Sequence, residues 1–531
     1  MIFRLRPPAW AGALAGCAAF LAVWLCSYSV HDTDSARSLR SMSLEPVAQA
    51  EGQEQAQKAE AASKAPAKCD EIEARIRKFF DALPKELGSL SGAAADNLAL
   101  ETEKTTIACG QYLAECENHA KAPEVSYITA KLLFLMSARK RNDIAIQFRD
   151  KPGYLEVLKQ RMGEYMAEIS RLSRFAFDKL APEHPLRPRA LQLVAQSSAE
   201  GERDAEAQAA YEKFLELYPA DSEADGVTTA LARTLLDLEK YDAGIKIARQ
   251  GLEKLYKSPQ FPFLNEILWK LVHSKGDFDG MLECVKRVDT VFPHKLSGEG
   301  LKEQERENLE RFLDFNGFRN GYTLFAKGDF EGAKAAFRAH IEALDKKGEH
   351  LQKGGKDLKP EVKIYRDRSA TLLKVLEELV GLPGPVDFEL GNTWVTPKMP
   401  RLAESRGKVV GLVLRGIGDD RSAAFIGPFS QWVARQPSME LVSIHFRKAG
   451  QNIAQLQDEL REELGRLQYD AAAGFDPDEQ NKLIFRRYLA NVGSATFIIL
   501  NRRGELVWFQ QDPRGVDVHF AEALMTQWSQ R

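Results

Sequence analysis

Between residues 204 and 345 the chain repeats itself, and repetition limits architecture more than any single motif does. Asp204 precedes AEAQAAYEKFLELYP, Tyr241 precedes DAGIKIARQGLEKL and Phe278 precedes DGMLECVKRVDTVFP, so equivalent positions recur 37 residues apart. A fourth copy follows Phe330 (EGAKAAFRAHIEAL) after a step of 52. Three copies open on a short turn and an aromatic, as Glu-Lys-Tyr241 and then twice as Lys-Gly-Asp-Phe, ending at Phe278 and Phe330. Small residues follow at Gly244 and Ala333. Tyr211 and Phe337 place a large ring further on, where Ala248 and Val285 are smaller, and Pro219 and Pro293 close two copies. A unit this short cannot bury its apolar face alone. The copies must stack, which builds a continuous core and leaves a groove.

The pattern resembles tetratricopeptide repeats, which are helix pairs with a period of about 34 residues. The longer period, the missing Trp-Leu-Gly pattern and the irregular fourth step depart from that family, and a plain helical bundle is the alternative. The resemblance implies a protein or peptide partner held in the groove of 204–345. The flanking sequence is helical too. Ile72, Ile76, Phe79 and Leu83 recur on one helix face, and Tyr127 to Arg141 and Leu155 to Leu180 carry similar stripes. Lys346 to Pro360 (KKGEHLQKGGKDLKP) lacks apolar periodicity and reads as a solvated loop. Glu361 to Val380 predicts a helix closed by Gly381, with Pro383 and Pro385 just beyond. An all-α domain is therefore expected over 69–380.

Ala9 to Val30 is 22 residues without a charge, behind Arg4 and Arg6. That suffices to cross a hydrocarbon core of ~30 Å as a helix. Residues 1–30 are read as an uncleaved signal anchor, with the membrane as partner through 9–30 and the bulk exported to a bacterial periplasm or envelope. Leu14-Ala15-Gly16-Cys17 is similar to a lipobox, so a lipidated Cys17 is one alternative and a cleaved signal another. Arg37 and Arg40 balance the charges across the span, which leaves orientation as a lean. Residues 31–68 contain no Phe, Trp or Tyr and read as a flexible linker. Lys+Arg 73 against Asp+Glu 76 gives a net charge of −3, which excludes a strongly basic nucleic-acid binder.

After Gly381 the pattern changes from helix pairs to strands alternating with helices. Lys408 to Leu414 is a continuous apolar run of buried-strand type, followed by a helix over Ser422 to Gln436 and a second strand at Glu440 to Phe446. A helix over Ile453 to Leu467 comes next. Ala495 to Leu500, a turn at Asn501 to Gly504 and Glu505 to Phe509 predict an antiparallel hairpin, and Phe520 to Trp528 a closing helix. The expectation for 381–531 is an α/β domain with a mixed sheet.

Pro385-Val-Asp-Phe-Glu-Leu390, Arg406-Gly-Lys-Val-Val410 and Gly493-Ser-Ala-Thr-Phe-Ile-Ile-Leu-Asn-Arg-Arg-Gly-Glu-Leu-Val507, in that order, resemble the thioredoxin fold. More narrowly they are similar to the membrane-anchored TlpA-like disulfide reductases of the bacterial envelope and to peroxiredoxin-type domains. That resemblance implies a Cys-x-x-Cys between the first central strand and its helix, where a helix N-terminus lowers a thiol pKa. Here Asp419, Asp420, Arg421 and Ser422 stand in that place. The cis-proline that the family carries before the late strand is replaced by Ser494 or Ala495. The last cysteine in the chain is Cys284, so this domain cannot exchange disulfides by itself. Asp419, Asp420 and Ser422 read as helix caps.

Cys69, Cys109 and Cys116 lie in the helical region, and in an exported domain Cys69 with Cys109 or Cys116 is the expected structural disulfide. Cys116-Glu-Asn-His119 lacks a haem or zinc spacing, and Gly416-Ile-Gly418 is followed by Arg421 where a dinucleotide fingerprint needs its third glycine. No catalytic residue, cofactor or metal is expected. Two functional classes follow. One is a membrane-tethered interaction or scaffold protein with a redox-inactive thioredoxin-like domain. The other is an envelope thiol-disulfide oxidoreductase, or an accessory to one, that uses helical-domain cysteines or a partner.

Overall fold

The computed structural model describes residues 54–83, 93–149, 153–298, 300–381, 393–396, 405–417, 420–446, 452–476, 495–511 and 517–531. The apolar stretch 9–30 and Cys17 lie outside them. Among the described residues no helix is long and apolar enough to cross a membrane. These residues form a mostly helical chain with a small mixed sheet at its C-terminal end. Contacts divide it into two compact units that meet in sequence between Gln260 and Phe261.

The first unit contains α1 (Glu54–Asp81), α2 (Ala93–Glu115), α3 (Ala122–Leu135), α4 (Ser137–Phe148), α5 (Tyr154–Lys179), α6 (Leu186–Glu200), α7 (Asp204–Leu217), α8 (Ala224–Asp237) and α9 (Tyr241–Lys254). The stripe Ile72, Ile76, Phe79, Leu83 turns α1 onto a core that includes Val125, Ile128, Met166, Leu191, Tyr211, Phe214 and Leu231. α1 starts at Glu54, inside the stretch read as linker, because Ala, Gln, Glu and Lys are strong helix formers even where nothing apolar recommends a helix. The stripe from Tyr127 to Arg141 is broken at Met136, which caps α3 and opens α4.

The second unit opens with α10 (Phe261–Lys275), α11 (Phe278–Leu296), α12 (Glu303–Lys327), α13 (Phe330–Lys353) and α14 (Pro360–Glu378). α13 runs through much of the segment read as a loop. Lys347 reaches both carboxylate oxygens of Asp314 on α12, at 2.6 and 2.7 Å, so pairing across helices carries what apolar periodicity does not. The helix expected to close at Gly381 ends at Glu378 with Leu379 as its cap, and Gly381 follows at φ +79°.

One turn recurs at the sequence repeat. Glu202, Glu239, Gly276 and Gly328 are left-handed, at φ 57°, 60°, 72° and 77°. In each, the next residue's N–H reaches back to the helix it leaves: Arg203 to the Ser198 carbonyl, Lys240 to Leu235 and Asp277 to Val272 at 2.8 Å, and Asp329 to Leu324 at 2.9 Å. This is the Schellman arrangement, which satisfies carbonyls left open at a helix end. It joins α6 to α7, α8 to α9, α10 to α11 and α12 to α13. In the last two pairs the following Asp277 and Asp329 also accept from the N–H of Gly280 and Gly332, at 2.9 Å.

The rest of the second unit is β1 (Val409–Arg415), α15 (Asp420–Val433), β2 (Met439–His445), α16 (Ile453–Arg466), β3 (Ala472–Phe475), β4 (Thr496–Leu500), β5 (Leu506–Gln511) and α17 (Val518–Gln530). The sheet order is β3-β2-β1-β4-β5. β1, β2 and β3 are parallel, while β4 runs antiparallel to β1 and β5 antiparallel to β4. That βαβ core with a late hairpin and closing helix is a thioredoxin-like arrangement. β3 is absent from the sequence expectation because Ala-Ala-Gly-Phe is too short and too small-sided to show a strand period. Trp394 bridges antiparallel to its Gly474. The central strands are buried on both faces, and Phe425, Phe429 and Phe497 pack together against them.

Candidate functional site

In this topology the place for chemistry is the edge at which β1 hands the chain to α15, beyond the carboxyl ends of the parallel strands. Asp419 and Ser494 lie outside the described residues. Asp420, Arg421 and Ser422 form the first backbone turn of α15, and their side chains are not among those described. Ala495 is buried immediately before β4, and the described residues contain no cis peptide bond.

Beneath this edge lie buried polar side chains that sequence reasoning passed over. Arg415 ends β1 with no exposed surface, and its Nη2 donates to Glu463 Oε1 of α16 at 2.6 Å. His445 ends β2 directly beside it in register. Its Nε2 shares a 2.8 Å hydrogen bond with the Ser443 hydroxyl, and its Nδ1 has no hydrogen-bond partner among the described residues. Burial first, and the Arg415 charge second, hold the imidazole well below its usual range, so His445 is neutral at pH 7. Tyr469 donates its hydroxyl to the Ala472 carbonyl at 3.2 Å, and burial pushes its ionisation upward. The signal for this cluster was present: a charged residue closes the apolar run Val409–Arg415, and a histidine closes Met439–His445. Alternation alone cannot say that such a residue points inward.

A guanidinium–carboxylate pair stripped of water is costly to form and costlier to break by halves. It fixes α16 to the sheet. It offers no sulfur, and the neutral imidazole beside it has no nucleophile to activate among the described groups except the equally buried Ser443.

The cysteines lie elsewhere. Cys69 of α1 and Cys116, just beyond α2, form a disulfide with Cα atoms 6.0 Å apart, while Cys109 remains a buried thiol. Burial pushes the Cys109 thiol up to about 11, against a hydrogen bond with Thr129 that lowers it. Cys284 of α11 is a buried thiol as well. Around the disulfide, His119 shares a 2.6 Å hydrogen bond with the Tyr112 hydroxyl and faces Asp70 at 3.2 Å. Glu124 gathers Arg77, Lys121 at 2.9 Å and His184 at 3.5 Å. Among the described residues no group of three or more His, Cys, Asp or Glu is placed to hold a metal ion.

No family model and no curated protein matches the chain. Solved structures similar to parts of it include a protein assigned as a disulfide isomerase from Bacteroides thetaiotaomicron. That one is 14% identical, covers 29% of this chain and 91% of its own, and has a TM-score of 0.23. A protein assigned as the thiol:disulfide interchange protein DsbE from Chlorobium tepidum is 18% identical over 24% of this chain and 86% of its own, with a TM-score of 0.19. A secreted Mycobacterium tuberculosis disulfide oxidoreductase homologous to E. coli DsbE is 18% identical over 24% and 92%, with a TM-score of 0.20. The thioredoxin-like character of this chain rests on its own strand order and helix placement.

Proposed function

We propose that the protein is a membrane-anchored, extracytoplasmic interaction protein. Its tetratricopeptide-like helix pairs hold a protein or peptide partner, and its thioredoxin-like layer carries no thiol chemistry. The observation that carries this reading is a thioredoxin-like strand order whose active-site turn begins with Asp420, Arg421 and Ser422 in a chain without cysteine after Cys284. Disulfide exchange begins with attack by a thiolate, and oxygen at a helix N-terminus cannot form the mixed disulfide. Export is supported by the uncharged stretch 9–30 and by the Cys69–Cys116 disulfide, a bond typical of oxidising compartments. A redox role for Cys109 is disfavoured, because a buried thiol pushed up to about 11 supplies little thiolate near neutrality.

The test is to isolate the full chain from membranes under mild detergent, crosslink it to its partners and map the linked residues. Crosslinks concentrated on 204–345, together with insulin reduction no faster than a dithiothreitol control, are expected. Crosslinks confined to 405–531, or a partner released only by reductant, would remove this reading in favour of the redox one.

A further inference from the structure

The repeated turn is built two ways. In α6–α7 and α8–α9 the left-handed position is Glu202 or Glu239, where any L residue with a side chain is strained. In α10–α11 and α12–α13 it is Gly276 or Gly328. Glycine relieves that strain, but the second pair of turns has a further reason to use it. A Cβ on Gly276 would overlap the Cβ of Ala523, and one on Gly328 would overlap Arg531 and press on the Trp528 ring. Ala523 and Trp528 are on α17, and Arg531 ends the chain beyond it. The bare backbone of both turns is the seat of the last helix.

Contacts around that seat are dense and specific. The His273 imidazole stacks on Phe520 with ring centres 3.8 Å apart, and Tyr322 stacks on the same ring at 5.8 Å. Trp508 of β5 meets Tyr322 at 5.0 Å and Phe325 at 4.7 Å. Polar groups close the rim: Tyr322 donates to Gln510 Oε1 at 3.0 Å, Gln527 to the Ala326 carbonyl at 3.0 Å, and Arg531 to the Lys327 carbonyl at 2.8 Å. Beyond α14, Val380 forms a parallel bridge to Leu506, and Gly381 N–H bonds the Leu506 carbonyl at 3.3 Å. Helices α10–α13 thereby pack on α17, and Val380 and Gly381 pair with the edge of β5 at Leu506. An uncovered edge strand invites pairing with other chains.

We propose that the cysteine-free α/β layer is a permanent cap on the turn edge of the α10–α11 and α12–α13 pairs, with Gly276 and Gly328 specifying its seat. The function of the layer is then to close that edge, and the face of α17 seated there is closed to outside partners. This goes beyond the interaction reading and holds whatever the repeats bind.

Hydrogen exchange by mass spectrometry on the full chain tests it, comparing Phe520→Ala and the milder Gln527→Ala with wild type. A cap shares one opening reaction with what it caps. Protected amides of α10–α13 and of β5 and α17 should therefore speed up together, by roughly 100-fold for Phe520→Ala and about fivefold for Gln527→Ala. Faster exchange confined to β5 and α17, with α10–α13 unchanged in both variants, would overturn the proposal. Crosslinks from α17 to an outside partner would do so as well.

Discussion

The two compact units are secured at their chain ends by opposite means. In the first, α1 is tied by a covalent bond, Cys69–Cys116, with Arg77 and Glu124 beside it. In the second, α17 is held by rings, two glycine turns and carbonyl hydrogen bonds, with the Arg415–Glu463 pair fixing α16 across the sheet. The contrast reaches into the repeated turn, which keeps glutamates where the left-handed residue is exposed and glycines where a helix lies against it. Equivalent positions in a repeat therefore diverge according to their neighbours rather than to their own conformation.

Breaking each device on its own measures this contrast. The largest effect is expected from Glu463→Gln. It removes the carboxylate charge facing the buried Arg415 guanidinium and should cost about 3–5 kcal/mol in urea unfolding of the second unit. A loss below about 1 kcal/mol would mean that solvent reaches Arg415. Cys69→Ser comes next. The bridge closes a sequence separation of 47 residues, and its removal should cost about 4 kcal/mol of first-unit stability. Dithiothreitol should lower the same transition and leave the second unit's transition in place.

The third comparison uses the turns. Gly276→Val places a β-branched residue at positive φ and against Ala523, and should cost at least ~2 kcal/mol. Glu239→Gly relieves a left-handed residue at an exposed position, and should change stability by no more than ~1 kcal/mol, in the favourable direction. Equal effects at both sites would show that conformation alone chose the glycines.

The effects of pH carry opposite signs in the two units. Burial pushes the Glu200 carboxyl of the first unit up to about 7. An acid raised on folding stabilises fully below its unfolded value near 4.5, and that contribution is lost as pH rises through 7. In the second unit burial pulls His273 down to about 4. A base lowered on folding stabilises fully above its unfolded value near 6.5, and the contribution is lost as pH falls towards 4. Thermal scans between pH 4.5 and 8 should thus show the second unit weakening on acidification, an effect reduced in His273→Phe. Glu200→Gln should flatten the alkaline side of the first unit's profile.

Much of this was legible in residues. The steps of 37 and 52 among Asp204, Tyr241, Phe278 and Phe330 mark the starts of α7, α9, α11 and α13. They show because a helix pair needs a turn, a cap and an apolar stripe at fixed spacing. β1, β2 and the late hairpin show because strands buried on both faces are uninterrupted apolar runs. β3 and the helical end of α13 escaped, since one is held by its neighbours' hydrogen bonds and the other by the ion pair of Lys347 with Asp314.

The sequence by itself determined the succession of helix pairs and α/β layer, and it excluded thiol exchange after Cys284, because local periodicity and the presence of sulfur are properties of the chain. Only the tertiary structure decided which cysteine Cys69 joins. It also placed Arg415 beside Glu463 and His445, and set α17 on the bare backbone of Gly276 and Gly328. Each of these is a meeting of groups far apart in sequence. Such meetings are fixed by how amphipathic faces pack, and packing leaves no trace in the local pattern of either partner.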